Sequence, residues 1–265
     1  MYSKPVLVFI YLRYFLAASN GKGHGMHSPF IFDFITRVLN DRTRYNEYRI
    51  VEGLRNHLLG DSRMFVIEDF GAGSAFLKRN QRSIKSIARN AAKSKRYGQL
   101  LFRMVRYYKP KHIIELGTSL GITTSYLSLA QPSVALVTME GATEIAAIAK
   151  RNFENLKLQH WLLQEGNFDD TLPAVIRELP AVDFAFIDGN HRLEPTLRYF
   201  NQLLEKATND SIFIFDDIHW SGEMEQAWEA IKKHPSVRCT VDLFFIGIVF
   251  FREEFREKQH FSIRF

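Results

Sequence analysis

The spacing of apolar positions changes near residue 112. Before it, Pro5 to Ser19 is an apolar run interrupted by Arg13. Pro29 to Asn40 sets Ile31, Phe34, Ile35, Val38 and Leu39 on one face at helical spacing, and Tyr97 to Tyr108 repeats the pattern with Leu100, Leu101, Met104 and Val105. From His112 onward, short apolar runs alternate with helical stripes. His112–Leu116 predicts a strand and Ile122–Ala130 a helix stopped near Pro132. Val134–Met139 predicts the next strand, followed by a stripe of Ile145, Ile148, Ala149, Phe153 and Leu156. Strands at His160–Gln164 and Val182–Ile187 come next, then a stripe of Leu193, Leu197, Phe200 and Leu204. Ser211–Phe215 predicts a further strand, and Ser221 caps a helix with Glu223 and Glu225 in its first turn and Lys232 and Lys233 in its last. Val237–Asp242 and Phe245–Phe251 close the series as a hairpin. Alternation of this kind predicts a doubly wound α/β domain over 96–265, preceded by a mainly helical extension over 1–95.

The first strand runs into Glu115-Leu116-Gly117-Thr118-Ser119-Leu120-Gly121, a carboxylate and two glycines before a helix. This is how a Rossmann-like sheet holds a cofactor at its first turn. A dinucleotide fingerprint would need glycine at 119 and 122, where Ser119 and Ile122 stand, and a pyrophosphate would be repelled by Glu115. A cationic cofactor suits the carboxylate better. The pattern resembles the first motif of class I S-adenosylmethionine-dependent methyltransferases, with Glu115, Gly117, Thr118, Ser119 and Gly121 as expected cofactor contacts. Glu140, 25 residues beyond Glu115, is expected to accept both ribose hydroxyls, and Asn167 to read the adenine edge. Met64–Ser74 also joins an apolar run to acids and a G-x-G. No strand ending in an acid follows it, so it is read as a loop near the basic helices.

A second constellation lies at the ends of the fourth and fifth strands, which are expected to be neighbours. These are Asp188-Gly189-Asn190-His191 and Asp216-Asp217-Ile218-His219-Trp220. Converging carboxylates repel unless compensated, and a divalent cation with oxygen ligands, Mg2+ or another, is one compensation. Asp188, Asp216 and Asp217 are the expected ligands. Asp188 contacting the methionine moiety is the alternative. His191 or His219 is the expected base for a hydroxyl acceptor.

Composition adds limits. The chain carries +6 at pH 7, divided unevenly: residues 1–111 carry +14 and residues 112–265 carry −8. Between Lys78 and Lys111 there is no acid. That stretch reads as a solvated helical face or as a surface for a polyanion such as RNA. The single cysteine, Cys239, permits no internal disulfide. The Pro5–Ser19 run is shorter than the roughly 20 residues a spanning helix needs. It is read as a docked helix, with a membrane-surface contact as the alternative, and the chain is expected to be cytoplasmic. The Asn20–Pro29 loop holds His24 and His27 without a nearby acid and reads as a connecting or substrate-contacting loop.

Residues Ile114–Gly121, Glu140-Gly141, Phe186–His191 and Asp216–Trp220 together resemble class I O-methyltransferases. The likeness covers about residues 95–251, and the D-G-N-H and D-D-x-H-W pair is its most specific part. It implies a seven-stranded sheet, parallel with an antiparallel last strand, and S-adenosylmethionine as cofactor. Catechol-type members place a metal on acids matching Asp188, Asp216 and Asp217, whereas their lysine is replaced here by His191 or Arg192. The chain also resembles uncharacterised Bacteroidetes-type methyltransferases, including at His24–Phe30. The expected acceptor is a small molecule, a saccharide or glycan, or a lipid-linked compound. RNA methylation is the alternative, a non-catalytic cofactor-binding scaffold is another, and a homodimer is a further partner expectation.

Overall fold

The change of period at residue 112 becomes a change of architecture. The computed structural model describes residues 1–23, 27–68, 79–90 and 93–265. In chain order the elements are α1 (Lys4–Ala17), α2 (Pro29–Asp33) continuing as a π-helical stretch (Phe34–Leu39), α3 (Asn46–Gly60), β1 (Met64–Glu68), β2 (Arg79–Ser83), α4 (Ile84–Asn90) and α5 (Lys95–Tyr108). They continue as β3 (His112–Leu116), α6 (Ile122–Ala130), β4 (Ala135–Glu140), α7 (Thr143–Asn155), β5 (Trp161–Glu165) and α8 (Phe168–Glu178). The last are β6 (Val182–Ile187), α9 (Leu193–Leu204), β7 (Ala207–Asp216), α10 (Gly222–Lys233), β8 (Cys239–Asp242), β9 (Ile246–Phe250) and β10 (Gln259–Ser262). The fold is α/β, doubly wound and Rossmann-like, with mostly parallel strands. Two compact units are present: residues 41–174, and residues 1–40 with 175–265.

In the 41–174 unit, β3, β4 and β5 are parallel neighbours in that order. Ile113 to Leu116 are buried without alternation, as expected of a strand covered on both faces. The apolar stripe of α5 is buried along Leu100, Leu101, Met104 and Val105, and the helix ends on Lys109 in the left-handed region. The Met64–Ser74 segment departs from its expected loop. Met64–Glu68 forms β1, which pairs antiparallel with β2 in a two-stranded ribbon. Residues 69–74 lie outside the described residues. An antiparallel ribbon has no row of parallel carboxyl ends, which is why β1 does not offer the ligand crevice of a doubly wound sheet.

In the other unit the strand order is β6-β7-β9-β8-β10. β6 and β7 are parallel neighbours, as their sequence positions predict, and β9 runs antiparallel to both β7 and β8. β10 adds a short parallel strand on β8 that the apolar pattern does not announce. Phe213, Phe215, Phe250 and Trp228 are buried here, each contributing about 2–3 kcal/mol by leaving water. The packing is close: a Cβ on Gly247 would stand 2.6 Å from the Trp228 ring. The buried stripe of α9 is Thr196, Tyr199, Phe200 and Leu203, rotated from the expected Leu193, Leu197, Phe200 and Leu204. Tyr199 supplies the apolar area that counting leucines overlooks. Ser221 caps α10 as expected, its Oγ accepting from Met224 N at 3.2 Å. Ser28 caps α2 in the same way, with Pro29 at the first helical position.

Candidate active site

The turn after β3 is built from backbone. Gly117 has φ 107° and Gly121 φ 79°, with Ser119 between them at φ 49°. Gly121 also packs so closely on Phe153 that an added Cβ would collide with the ring. Gly117 N and Thr118 N both donate to the Met139 carbonyl at 3.0 Å, tying the turn to β4. Glu140 ends β4. Its Oε2 accepts from Ser119 N at 2.8 Å and its Oε1 from Ala142 N at 3.0 Å. Two backbone donors thus fix a half-buried carboxylate beside the turn. The two backbone bonds engage both carboxylate oxygens and so fix the plane of the group.

Glu115 is placed otherwise than the sequence suggests. It is fully buried, and Oε2 accepts from Thr124 Oγ1 at 2.5 Å and from Thr138 Oγ1 at 2.6 Å. Its Oε1 has no hydrogen-bond partner among the described residues. Burial, only partly offset by the threonine hydroxyls, pushes its pKa up to about 7. The reason is positional: Glu115 is the penultimate residue of β3 and lies against α6, whereas Glu140 is the last of β4. An enclosed carboxylate does not present a surface to a cationic ligand. Thr118 is also buried, its Oγ1 2.5 Å from Thr138 Oγ1. Of the expected contacts at this corner, Gly117, Ser119, Gly121 and Glu140 border the turn, while Glu115 and Thr118 brace it from beneath. Asn167 Oδ1 accepts from Asp169 N at 3.1 Å, which gives it a helix-capping role at the start of α8.

The ends of β6 and β7 carry the second group. Among the described residues, Asp188, His191 and Asp216 bring ligand-capable atoms within 4.8 Å of one another. His191 Nε2 lies 3.5 Å from Asp188 Oδ1. Asp216 is buried and the other two are half-buried. Two carboxylates and an imidazole suit a divalent transition metal such as Mn2+ better than Mg2+, which favours oxygen alone. Asp217 does not belong to this group. Its backbone turns into the left-handed region at φ 53°, N donates to the Phe245 carbonyl at 2.7 Å, and the residue lines a separate cavity with His219 and Trp220.

His219 is also corrected. Nε2 is 2.8 Å from Asp242 Oδ2 and Nδ1 3.2 Å from Glu225 Oε1, and the ring stacks on Phe244. Burial lowers its pKa, but the two carboxylates outweigh burial and the net shift is upward. An imidazole with both nitrogens held by carboxylates has no nitrogen left to take a proton from a substrate. The apolar pattern had no means of finding Asp242 and Glu225 as partners. The usable signal was an acid at a strand end before a tight turn (Asp242) and one in the first turn of the helix that follows His219 (Glu225).

Residues 114–218 match the family described as a methyltransferase domain. Over this stretch the chain is similar to class I O-methyltransferases. The catechol O-methyltransferase of Niastella koreensis is 27% identical over 130 residues, 48% of this chain and 58% of that protein. The match therefore spans less than two thirds of this relative. Two solved structures share the fold. The Streptomyces achromogenes O-methyltransferase TomG, in complex with S-adenosylmethionine, aligns at TM-score 0.55 and 20% identity, over 62% of this chain and 82% of that one. The S-adenosylhomocysteine-bound methyltransferase PaMTH1 of Podospora anserina aligns at TM-score 0.59 and 14% identity, over 85% and 97%. The family match takes in the Gly117–Gly121 turn, Glu140, Asp188, His191 and Asp216, and it stops short of His219 and Asp242.

Proposed function

We propose that this chain transfers a methyl group from S-adenosylmethionine to an oxygen of a small-molecule acceptor. The observation that carries the reading is Glu140, a half-buried carboxylate at the end of β4, held by two backbone N–H groups beside a glycine turn. Such a carboxylate accepts two hydroxyl donors from one ribose edge, and no phosphate-binding glycine set competes with it. The cofactor, when bound, supplies a methyl group on a sulfonium. The backbone of Gly117 to Gly121 frames the methionine portion, and the Asn167 amide lies at the end of β5 for the adenine edge. Glu115 and Thr118 keep the turn in shape from within.

On the acceptor side, His191 takes the hydroxyl proton and Asp188 orients the ring. The protein's contribution is to hold the oxygen in line with the methyl and to remove its proton. A second reading rests on the clustering of Asp188, His191 and Asp216. A divalent cation held there would polarise the acceptor oxygen. The two readings use one imidazole differently, so transfer that survives chelation favours the base, and transfer restored by Mn2+ favours the metal.

Calorimetry with S-adenosylhomocysteine tests the donor corner. Glu140→Ala is expected to lose about 100-fold in affinity, two charge-assisted hydrogen bonds' worth. Unchanged affinity in a folded Glu140→Ala protein would reject the ribose assignment.

A further inference from the structure

α1 has a composition that its placement does not account for. Apart from Lys4 and Arg13 it is apolar on every side, the pattern of a helix buried in a core or spanning a membrane. It does neither. Fourteen residues reach about 21 Å, short of the roughly 30 Å hydrocarbon thickness. No helix among the described residues is long and apolar enough to cross a membrane. One side is docked: Tyr14, Ala18 and Ile10 pack on Phe244, and the Tyr14 hydroxyl donates to the Ile263 carbonyl. Tyr2 straps the helix start, its N donating to the Trp220 carbonyl at 3.0 Å and its hydroxyl to Glu225 at 2.7 Å. The opposite side stands in water, with Val8 58%, Phe9 60%, Leu12 52% and Leu16 78% exposed.

We infer that this face of α1 is an interfacial anchor for an anionic lipid surface. Charge selects the occupant. Lys4 and Arg13 are exposed on the helix, Lys22 follows, and the first acid in the chain is Asp33. A second copy docking through the same face would set these cations against their own counterparts with no acid on the helix to pair them. A bilayer with anionic headgroups offers both an apolar layer for the side chains and negative charge for the cations. The polar backing that a free interfacial helix must carry itself is here supplied by the body of the unit. The anchored helix also walls a cavity of about 390 Å3, lined by Leu7 and Tyr11 together with Trp220, Phe244 and Phe245. An apolar chain drawn from the surface would find an apolar cavity beside the anchor.

The test is co-sedimentation of the full chain with vesicles of phosphatidylcholine alone or with 30% phosphatidylglycerol. Binding to the anionic vesicles is expected, weakening with salt, and at least tenfold weaker in Phe9→Glu/Leu16→Glu. Both side chains point into solvent, so the variant should keep the wild-type melting temperature, which differential scanning fluorimetry checks. Lys4→Glu/Arg13→Glu should abolish the preference for anionic lipid. Failure of the wild type to bind, equal binding to both vesicle types, or equal binding by the Phe9→Glu/Leu16→Glu variant would overturn the inference. So would a concentration-dependent dimer that Phe9→Glu/Leu16→Glu dissociates, since that assigns the face to a second copy. None of these outcomes bears on cofactor binding, so this inference and the methyl-transfer reading fail independently.

Discussion

Each of the two units contains a pair of chemically identical groups with opposite environments. In the 41–174 unit, Glu115 is sealed under α6 with threonine hydroxyls on one oxygen, while Glu140 is half-buried at the turn and held by backbone. In the other unit, His219 is locked between Asp242 and Glu225, while His191 is half-buried beside Asp188. Residue type and distance along the chain do not separate the members of either pair. What separates them is whether the side chain is the last before the turn or sits where neighbouring elements close over it. A group that neighbouring elements enclose serves the fold, and its twin at the edge is the one the proposed reading gives to a ligand.

The histidine pair gives the largest contrast. Removing a general base costs on the order of 10²–10⁴ in rate. His191→Ala should therefore lose at least 100-fold in kcat. His219→Gln should retain most of kcat. Comparable losses in both variants, at unchanged melting temperature, would break the distinction.

The carboxylate pair comes next. A carboxyl whose pKa rises from 4.5 to about 7 on folding stabilises the protein fully below pH 4.5. That contribution fades as pH rises to 7, amounting to about 3 kcal/mol between the limits. Glu115→Gln should therefore flatten the stability profile between pH 4.5 and 7 and raise stability at pH 8 relative to wild type. Denaturant unfolding at several pH values measures this. A wild-type profile that is flat across that window would mean Glu115 is ionised at no cost, and the sealed-against-open contrast would fall.

These contrasts mark where the sequence was readable. The strand and helix alternation from His112, the terminal hairpin, the caps at Ser221 and the neighbouring β6 and β7 all follow from local pattern, because period and capping are local physics. The Gly117–Gly121 turn was readable because positive φ leaves a mark in composition. Enclosure leaves none. Glu115 is sealed by Thr124 and Thr138, 9 and 23 residues away, and His219 is neutralised by Asp242 across 23 residues. Asp217 left the Asp188–Asp216 cluster because of a single left-handed residue, which neighbouring aspartates do not announce. β1 and α9 show the same limit: β1 is a strand because of its partner β2, and the buried stripe of α9 includes Tyr199.

Gly121 sharpens the donor-corner side of the comparison. Gly121→Ala should destabilise by about 2 kcal/mol, since the residue must hold φ 79° and its Cβ would strike Phe153. Phe153→Leu in the same chain should recover the part due to collision and leave the part due to φ. Full recovery would mean that the left-handed backbone costs nothing there.

The smallest effect belongs to His219. Its pKa is raised on folding by Asp242 and Glu225 against the lowering effect of burial. The stabilisation is thus complete below the unfolded value of about 6.5 and fades as pH rises through the folded value. This window opens near the upper end of that of Glu115, and measuring it in the Glu115→Gln background separates the two. Wild type should lose stability as pH rises above 6.5, read as a falling melting temperature. Asp242→Asn should shrink that decline, and His219→Gln should remove it. If the decline persists in His219→Gln, the charge that holds the β7 and β8 loops together is not on this imidazole.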